Sequence, residues 1–317
     1  MKKHKICKIL LVILAIFLCV AFYELIGICI TYKKQPAVSD ATIKETQNIM
    51  SVAGRENTER AVIIEKNSQA LLERVRLIQN AKDEIILSTF AFKSDESGKL
   101  ILGALHDAAD RGVHVRILVD GMESWIDMEG NPYFYGLSSH ENVEIKLYNK
   151  ANPLKPWKTM GRMHDKYLIA DGKIYILGGR NTYNYFLGDF PGHKNFDRDV
   201  LVVCDEPQKD NSVNQLWNYF ETIWEQEDCR YFHNSKKLAD RQSVKKAVLE
   251  LQEGYQQYFE VNKEKICDTD YADETFETEK IILLSNPIHT QAKEPVVWYQ
   301  LGELMKNAKE RVKIHTP

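Results

Sequence analysis

The sequence lacks a C-x-x-C pair, and its six cysteines do not form a framework. Cys7, Cys19 and Cys29 lie in or beside an apolar run, which leaves Cys204, Cys229 and Cys267, an odd number. This argues against a disulfide scaffold and against a zinc site, and the nine histidines are scattered. An excess of charge of one sign is also missing: 42 Lys and Arg face 45 Asp and Glu, for a net charge of −3. Without a basic field, nucleic acid is disfavoured as a partner. Hydrophobic residues make up 44% of 317, enough for one large domain or two ordinary ones.

Long hydrophobic runs are absent except at the N-terminus. Lys2, Lys3, Lys5 and Lys8 precede an apolar stretch from Ile9 to Phe22, which resumes from Leu25 to Ile30 and closes at Lys33-Lys34. At about 1.5 Å per residue, 9–32 is long enough to cross a hydrocarbon core of about 30 Å. Glu24 is costly at mid-bilayer but lies near one end. An uncleaved single-pass anchor is the favoured reading, and a signal peptide cut after Ala21 is the other. Four lysines before the span against two after it put the N-terminus in the cytoplasm, with the bulk of the chain on the other side of the cell membrane.

After a basic tail (1–8), the span (9–32) and a linker (33–60) with a short helix near Asp40–Met50, strands and helices alternate. Strands are predicted at 61–64, 84–92, 113–119, 143–148, 163–170, 173–177 and 199–204. Helices are predicted from Ser68, as N-cap, to Asn80, then at 97–111 and 213–226. The 122–161 stretch, rich in turn residues and aromatics, reads as a long functional loop around the strand at 143–148. Asp171-Gly172 is a hairpin signal. Residues 230–280 read as a charged helical connector. Such alternation implies an α/β fold, a mixed sheet with helices on both faces.

A repeat is visible. Leu304 to Thr316 lies on Leu77 to Thr89 at a constant offset of 227, each with Asn-Ala-Lys between a helix and an apolar strand, and 281–284 resembles the strand at 62–64. The expectation is one repeat at 61–229, nearly complete, and a second only begun at 281–317.

The chemistry concentrates between Gly161 and Asn181. On a strand, His164 and Lys166 project to one face. A neutral His serves as nucleophile or base, and Lys suits a phosphate. Gly178-Gly179 permits close backbone approach, and Asn181 adds an amide donor. Taken singly these residues are bland: a strand histidine, a hairpin aspartate, a surface arginine at Arg180.

Together, His164-x-Lys166-x4-Asp171-x6-Gly178-Gly179-x-Asn181 resembles the HxKxxxxD signature of the phospholipase D superfamily, nearest its bacterial cardiolipin synthase branch. The resemblance covers about residues 61–226. It implies a phospholipase D-like α/β/α sandwich and a membrane-bound phosphatidyltransferase acting through a phosphohistidine, with no metal or other cofactor. His164 would be one of two active-site histidines. Lys166, Gly179 and Asn181 would bind the phosphoryl oxygens, although many members carry Ser where Gly179 stands. Asp199 would accept from the far ring nitrogen of His164. Asp171 is the signature acid, with a structural role weighed equally against a catalytic one. The expected partners are a phospholipid substrate and the membrane, with Trp125 and Trp157 near the headgroups. The second histidine would come from a second repeat of the same chain or from a homodimer partner. The alternatives are a phosphodiesterase or nuclease of the same superfamily, and a catalytically silent membrane-anchored binding protein.

Overall fold

The computed structural model describes residues 2–51, 59–207 and 209–314, so part of the linker and the last residues of the expected second repeat lie outside the described residues. The chain divides into two compact units. The smaller gathers Met1–Ile49, Ala151–Arg162 and Ser285–Asn307; the larger gathers Met50–Lys150, Met163–Leu284 and Ala308–Pro317.

The elements follow in order as α1 (Lys2–Tyr32), α2 (Asp40–Ser51), β1 (Glu59–Ile64), α3 (Asn67–Asn80), β2 (Glu84–Thr89), α4 (Glu96–Asp110), β3 (His114–Asp120), α5 (Gly121–Asp127), α6 (Pro132–Ser138) and β4 (Val143–Tyr148). Then come β5 (Tyr167–Ala170), β6 (Ile174–Gly178), β7 (Asp199–Cys204), α7 (Ser212–Trp224), β8 (Cys229–Tyr231), α8 (Lys236–Ala239), α9 (Gln242–Cys267), β9 (Phe276–Glu277) and α10 (Val296–Asn307). Among the described residues, α1 is the one helix long and apolar enough to cross a membrane.

The nine strands form a single mixed sheet in the larger unit, ordered β8-β4-β3-β2-β5-β6-β7-β1-β9. β2, β3 and β4 are parallel neighbours, and the remaining pairs are antiparallel. Alternation along each strand divides the side chains between two faces. Ile85, Leu87, Val115, Ile117, Leu168, Ile176 and Leu201 enter one core with Leu71, Val75 and Ile78 of α3, Ile101 and Leu105 of α4, and Leu251 and Tyr255 of α9. The other face receives α7. Arg116 of β3 packs its guanidinium on Phe220 and Trp224, and Lys146 of β4 lies over Trp224. Tyr175 of β6 shares a hydrogen bond with Ser212 at the start of α7. Helices therefore cover both faces, as the sequence implied.

Several expectations need correction. The 122–161 stretch holds two helices. α5 is capped by Asp120, whose Oδ1 accepts from Met122 and Glu123 N–H, and α6 by Asn131, with Pro132 in the first turn. α3 starts at Asn67 without a side-chain cap at Lys66, so Ser68 is not its N-cap. β5 begins only at Tyr167, because its ladder with β2 ends at Ser88↔Tyr167. His164 and Lys166 therefore precede the strand, and strand alternation does not orient them.

At the offset of 227, α10 ends at Asn307 as α3 ends at Asn80. Residues 281–284 and 308–314 form no strand.

Candidate active site

The β5–β6 hairpin builds the site. Its turn, Asp171-Gly172, has φ of +52° and +60°, the positive pair of a tight β-turn that Lys173 N–H closes on Ala170 C=O at 3.0 Å. At the opposite end, Gly178 N–H donates to Lys166 C=O at 3.1 Å, which extends the pairing just past Tyr167↔Leu177. β7 runs antiparallel beside β6 and places Asp199 opposite Gly178. One end of the sheet thus collects Lys166, the Gly178–Asn181 segment and the residues entering β7, with His164 two residues before Lys166.

Three contacts hold this end. Asp120 Oδ2 accepts from Met163 N–H at 3.1 Å, next to His164, so one buried carboxylate both caps α5 and fixes the segment before the histidine. Asn181 Oδ1 accepts from Ala91 N–H at 3.1 Å, which leaves Nδ2 as the atom to donate to a substrate. Phe90 meets the His164 ring edge-on with centroids 4.5 Å apart, and the Lys166 ammonium lies 5.4 Å from the same Phe90 ring.

Lys166 is buried, and its Nζ donates to His164 C=O at 2.6 Å. Burial pushes its pKa down to about 8, against the opposing pull of Asp165 and Asp197. His164 is exposed. An exposed imidazole beside a partly desolvated ammonium and an amide donor is an arrangement that can receive a phosphodiester: Lys166 and Asn181 on the non-bridging oxygens, His164 toward phosphorus.

Asp171 lies at the other end of the hairpin. Five residues of extended chain, roughly 16 Å, separate it from Lys166. Its Oδ2 accepts from Lys82 N–H at 2.9 Å, and its Oδ1 accepts from Asp83 and Glu84 N–H at 2.9 and 3.0 Å. Those bonds pin the turn to the α3–β2 junction, and they favour the structural of the two roles held open for it.

Asp199 corrects an expectation. It was to accept from His164, but its carboxylate pairs with Arg74 Nη1 at 2.9 Å and Arg180 Nη1 at 3.3 Å, with all three side chains buried. Arg180 is likewise no surface charge. It is 1% exposed, and it donates to Ile64 C=O, Glu65 C=O and Asn67 Oδ1. Burial and the neighbouring Arg74 lower its pKa, while Asp199 opposes both.

The acid that faces the site is Asp197, two residues earlier. A Cβ on Gly179 would lie 1.9 Å from Asp197 Oδ2, so the carboxylate rests on this glycine. Asp197 is also one of the two charges that raise the pKa of Lys166. Phe90, Asp120 and Asp197 were missed in the sequence. For Asp197 a signal existed: Asp197-Arg-Asp199 offers two acids, and the sheet register assigns the second to the core.

The family model for "Cardiolipin synthase, PLD-like domain" matches residues 75–224, which include all of these residues except Ile64, Glu65, Asn67 and Arg74. An uncharacterized protein of Helicobacter pylori is 33% identical over 181 residues, 53% of this chain and 35% of that protein. Cardiolipin synthase C of Escherichia coli is 29% identical over 154 residues, 44% of this chain and 31% of that enzyme. The chain thus spans about a third of the length of these curated relatives. Among solved structures, phosphatidylserine synthase of Haemophilus influenzae aligns with a TM-score of 0.46 at 15% identity, over 70% of this chain and 48% of that one. Motif and family model agree on one stretch of the chain: residues 75–224 are a phospholipase D-like domain.

Proposed function

We propose that this chain is a membrane-bound phosphatidyltransferase of the cardiolipin synthase type, working through a phosphohistidine on His164. The observation that carries the reading is the Lys166 ammonium, buried and bonded to the His164 carbonyl, at the hairpin end that also holds Asn181. An ammonium and an amide next to an imidazole are suited to the dianionic charge that grows on phosphorus during in-line displacement. The imidazole attacks phosphorus, the P–O bond to the leaving alcohol breaks, and a second histidine supplies the proton to that alcohol. This second histidine comes from a further repeat or a homodimer partner. An acceptor hydroxyl then displaces the phosphatidyl group from His164. Water as acceptor gives phosphatidic acid; a phosphatidylglycerol hydroxyl gives cardiolipin. The α1 helix, crossing the bilayer, keeps the chain at the surface where this substrate lies.

The test uses vesicles of phosphatidylglycerol labelled at phosphorus. The expected products are cardiolipin and glycerol, with an acid-labile, alkali-stable phosphoprotein that disappears in His164→Ala. Phosphatidic acid alone would make the protein a hydrolase. Absence of lipid turnover together with cleavage of a nucleic-acid phosphodiester would replace the reading with the nuclease one.

A further inference from the structure

The smaller unit holds a contact between the apolar helix and the segment that runs into the site. On α1, Glu24, Gly27, Ile28 and Thr31 are partly covered, whereas Phe22, Leu25, Ile26 and Ile30 on the other sides are 47–69% exposed. The spacing i, i+3, i+4, i+7 is one helical face. The 151–162 segment lies against it. A Cβ on Gly27 would stand 2.5 Å from Cγ and 2.7 Å from Cβ of Pro156, so the helix backbone and the proline ring are in direct contact. Tyr23 Oη donates to Leu154 C=O at 3.2 Å. Tyr32 Oη donates to Thr290 C=O at 3.4 Å, and Gly161 in turn packs on Thr290.

The depth follows from helix geometry. Gly27 lies five residues before Tyr32, about 7.5 Å down the axis, and Tyr23 about 6 Å further. The polar zone on each side of a bilayer is only about 5–8 Å thick. A segment touching Tyr23 and Gly27 therefore sits at the boundary of the hydrocarbon rather than above the membrane. Its composition suits that place: Leu154, Trp157 and Met160 are 78%, 41% and 56% exposed, and Lys155 and Lys158 flank the tryptophan. An aromatic with a polar edge between lysines is the composition of a headgroup-level anchor. The segment also covers the face bearing Glu24, whose Oε1 is buried, and so screens a carboxylate that acyl chains would penalise.

We propose that residues 151–162 form a membrane-inserted loop, packed on the outer end of α1, whose Leu154, Trp157 and Met160 enter the lipid at headgroup level. Resting on the reading of α1 as an anchor, this identifies the bilayer as the surface that the segment before Met163 and His164 binds directly.

The experiment reconstitutes the protein in vesicles of phosphatidylglycerol and phosphatidylethanolamine whose acyl chains carry bromine at a shallow or a deep position, and it reads tryptophan quenching. Trp157→Phe should lose quenching by the shallow bromines relative to the unaltered protein. Gly27→Leu, which cannot keep Pro156 in place, should lower the same signal, while Val20→Leu, at an exposed position on α1, should not. Alkaline carbonate extraction of each variant comes first. Protein released by carbonate overturns the anchored reading and this inference with it. Protein retained, but with quenching unchanged in both Trp157→Phe and Gly27→Leu, overturns the inference alone.

Discussion

The carboxylate of Asp197 rests on the Cα of Gly179, so near that a methyl group there would lie 1.9 Å from Oδ2. Any side chain at 179 must turn Asp197 away from the site. Gly179→Ser restores the residue that many superfamily members carry, yet in this chain it should slow turnover by on the order of 10²-fold, the usual cost of displacing a group near the reacting atoms by about an ångström. Circular dichroism should show an intact fold. Equal turnover in the variant would mean that the Asp197 contact has no part in the reaction.

Lys166 sets a pH limit. Its pKa is lowered to about 8, chiefly by burial, so the cation that would hold phosphate is lost as pH climbs through that value. KM for the phosphodiester should therefore be flat below about pH 7 and rise above pH 8, with a smaller change in kcat. Lys166→Arg keeps its charge at every working pH and should flatten the profile, whatever it costs in absolute rate. A profile with the same inflection in Lys166→Arg would assign it to another group.

Asp171 offers a separation of stability from chemistry. Three backbone N–H groups bond to its carboxylate, and each loses its partner in Asp171→Ala. The expected loss is about 2–4 kcal/mol in urea unfolding, since charge-assisted bonds are worth about 1.5–3 kcal/mol each but these donors are exposed enough for water to replace part of that. Turnover per folded molecule should stay within about twofold of the unaltered protein. A large fall in kcat at full folding would return the signature acid to the reaction.

Asp199→Asn should behave in the opposite way to a histidine-orienting residue. It would leave Arg74 and Arg180 buried with no counter-charge, and breaking such a group typically costs about 3–5 kcal/mol. The variant should be recovered mainly as insoluble protein. A soluble, stable Asp199→Asn with lost activity would reinstate the sequence expectation for this residue.

How far the sequence could be read depended on what each residue's neighbours were. β4 and β7 were legible to the residue, because Val143–Tyr148 alternates apolar and charged side chains with a period of two and Asp199–Cys204 is a short Val-rich run, the two strand patterns least easily read as helix. The Asp171-Gly172 turn was legible because only a few dipeptides accept two positive φ values. Arg180 was not: an arginine between Gly179 and Asn181 reads as solvated, and only the tertiary meeting of β1, α3 and β7 shows four partners waiting inside. The N-terminus of α3 failed for a related reason. Asn67, the natural capping type, spends its amide on Asn195 C=O and its oxygen on Arg180 instead. The strand assigned to His164 and Lys166 failed because β2 stops pairing at Ser88, a limit set by a segment some 75 residues away. α5 and α6 carried visible caps in Asp120 and in Asn131-Pro132, but their seven-residue length gives too little periodicity to register.

The pairing of β1 with β7 has a consequence for biosynthesis. Ile64 meets Asp199, and Glu59 meets Cys204, so the first strand made must wait for nearly the last strand of its sheet. At roughly 5–20 residues per second, that delay is on the order of ten seconds. During it, Val62 and Ile63 stand on an open edge just after the linker, and Arg74 and Arg180 have no carboxylate between them. The wait ends when β7 arrives, which in one step joins β1 to β6, neutralises the buried guanidiniums and brings Asp197 onto Gly179. The joining of β1 to the sheet and the assembly of this end of the site are then the same event, so a nascent chain halted before β7 carries the signature motif without Asp197 on Gly179.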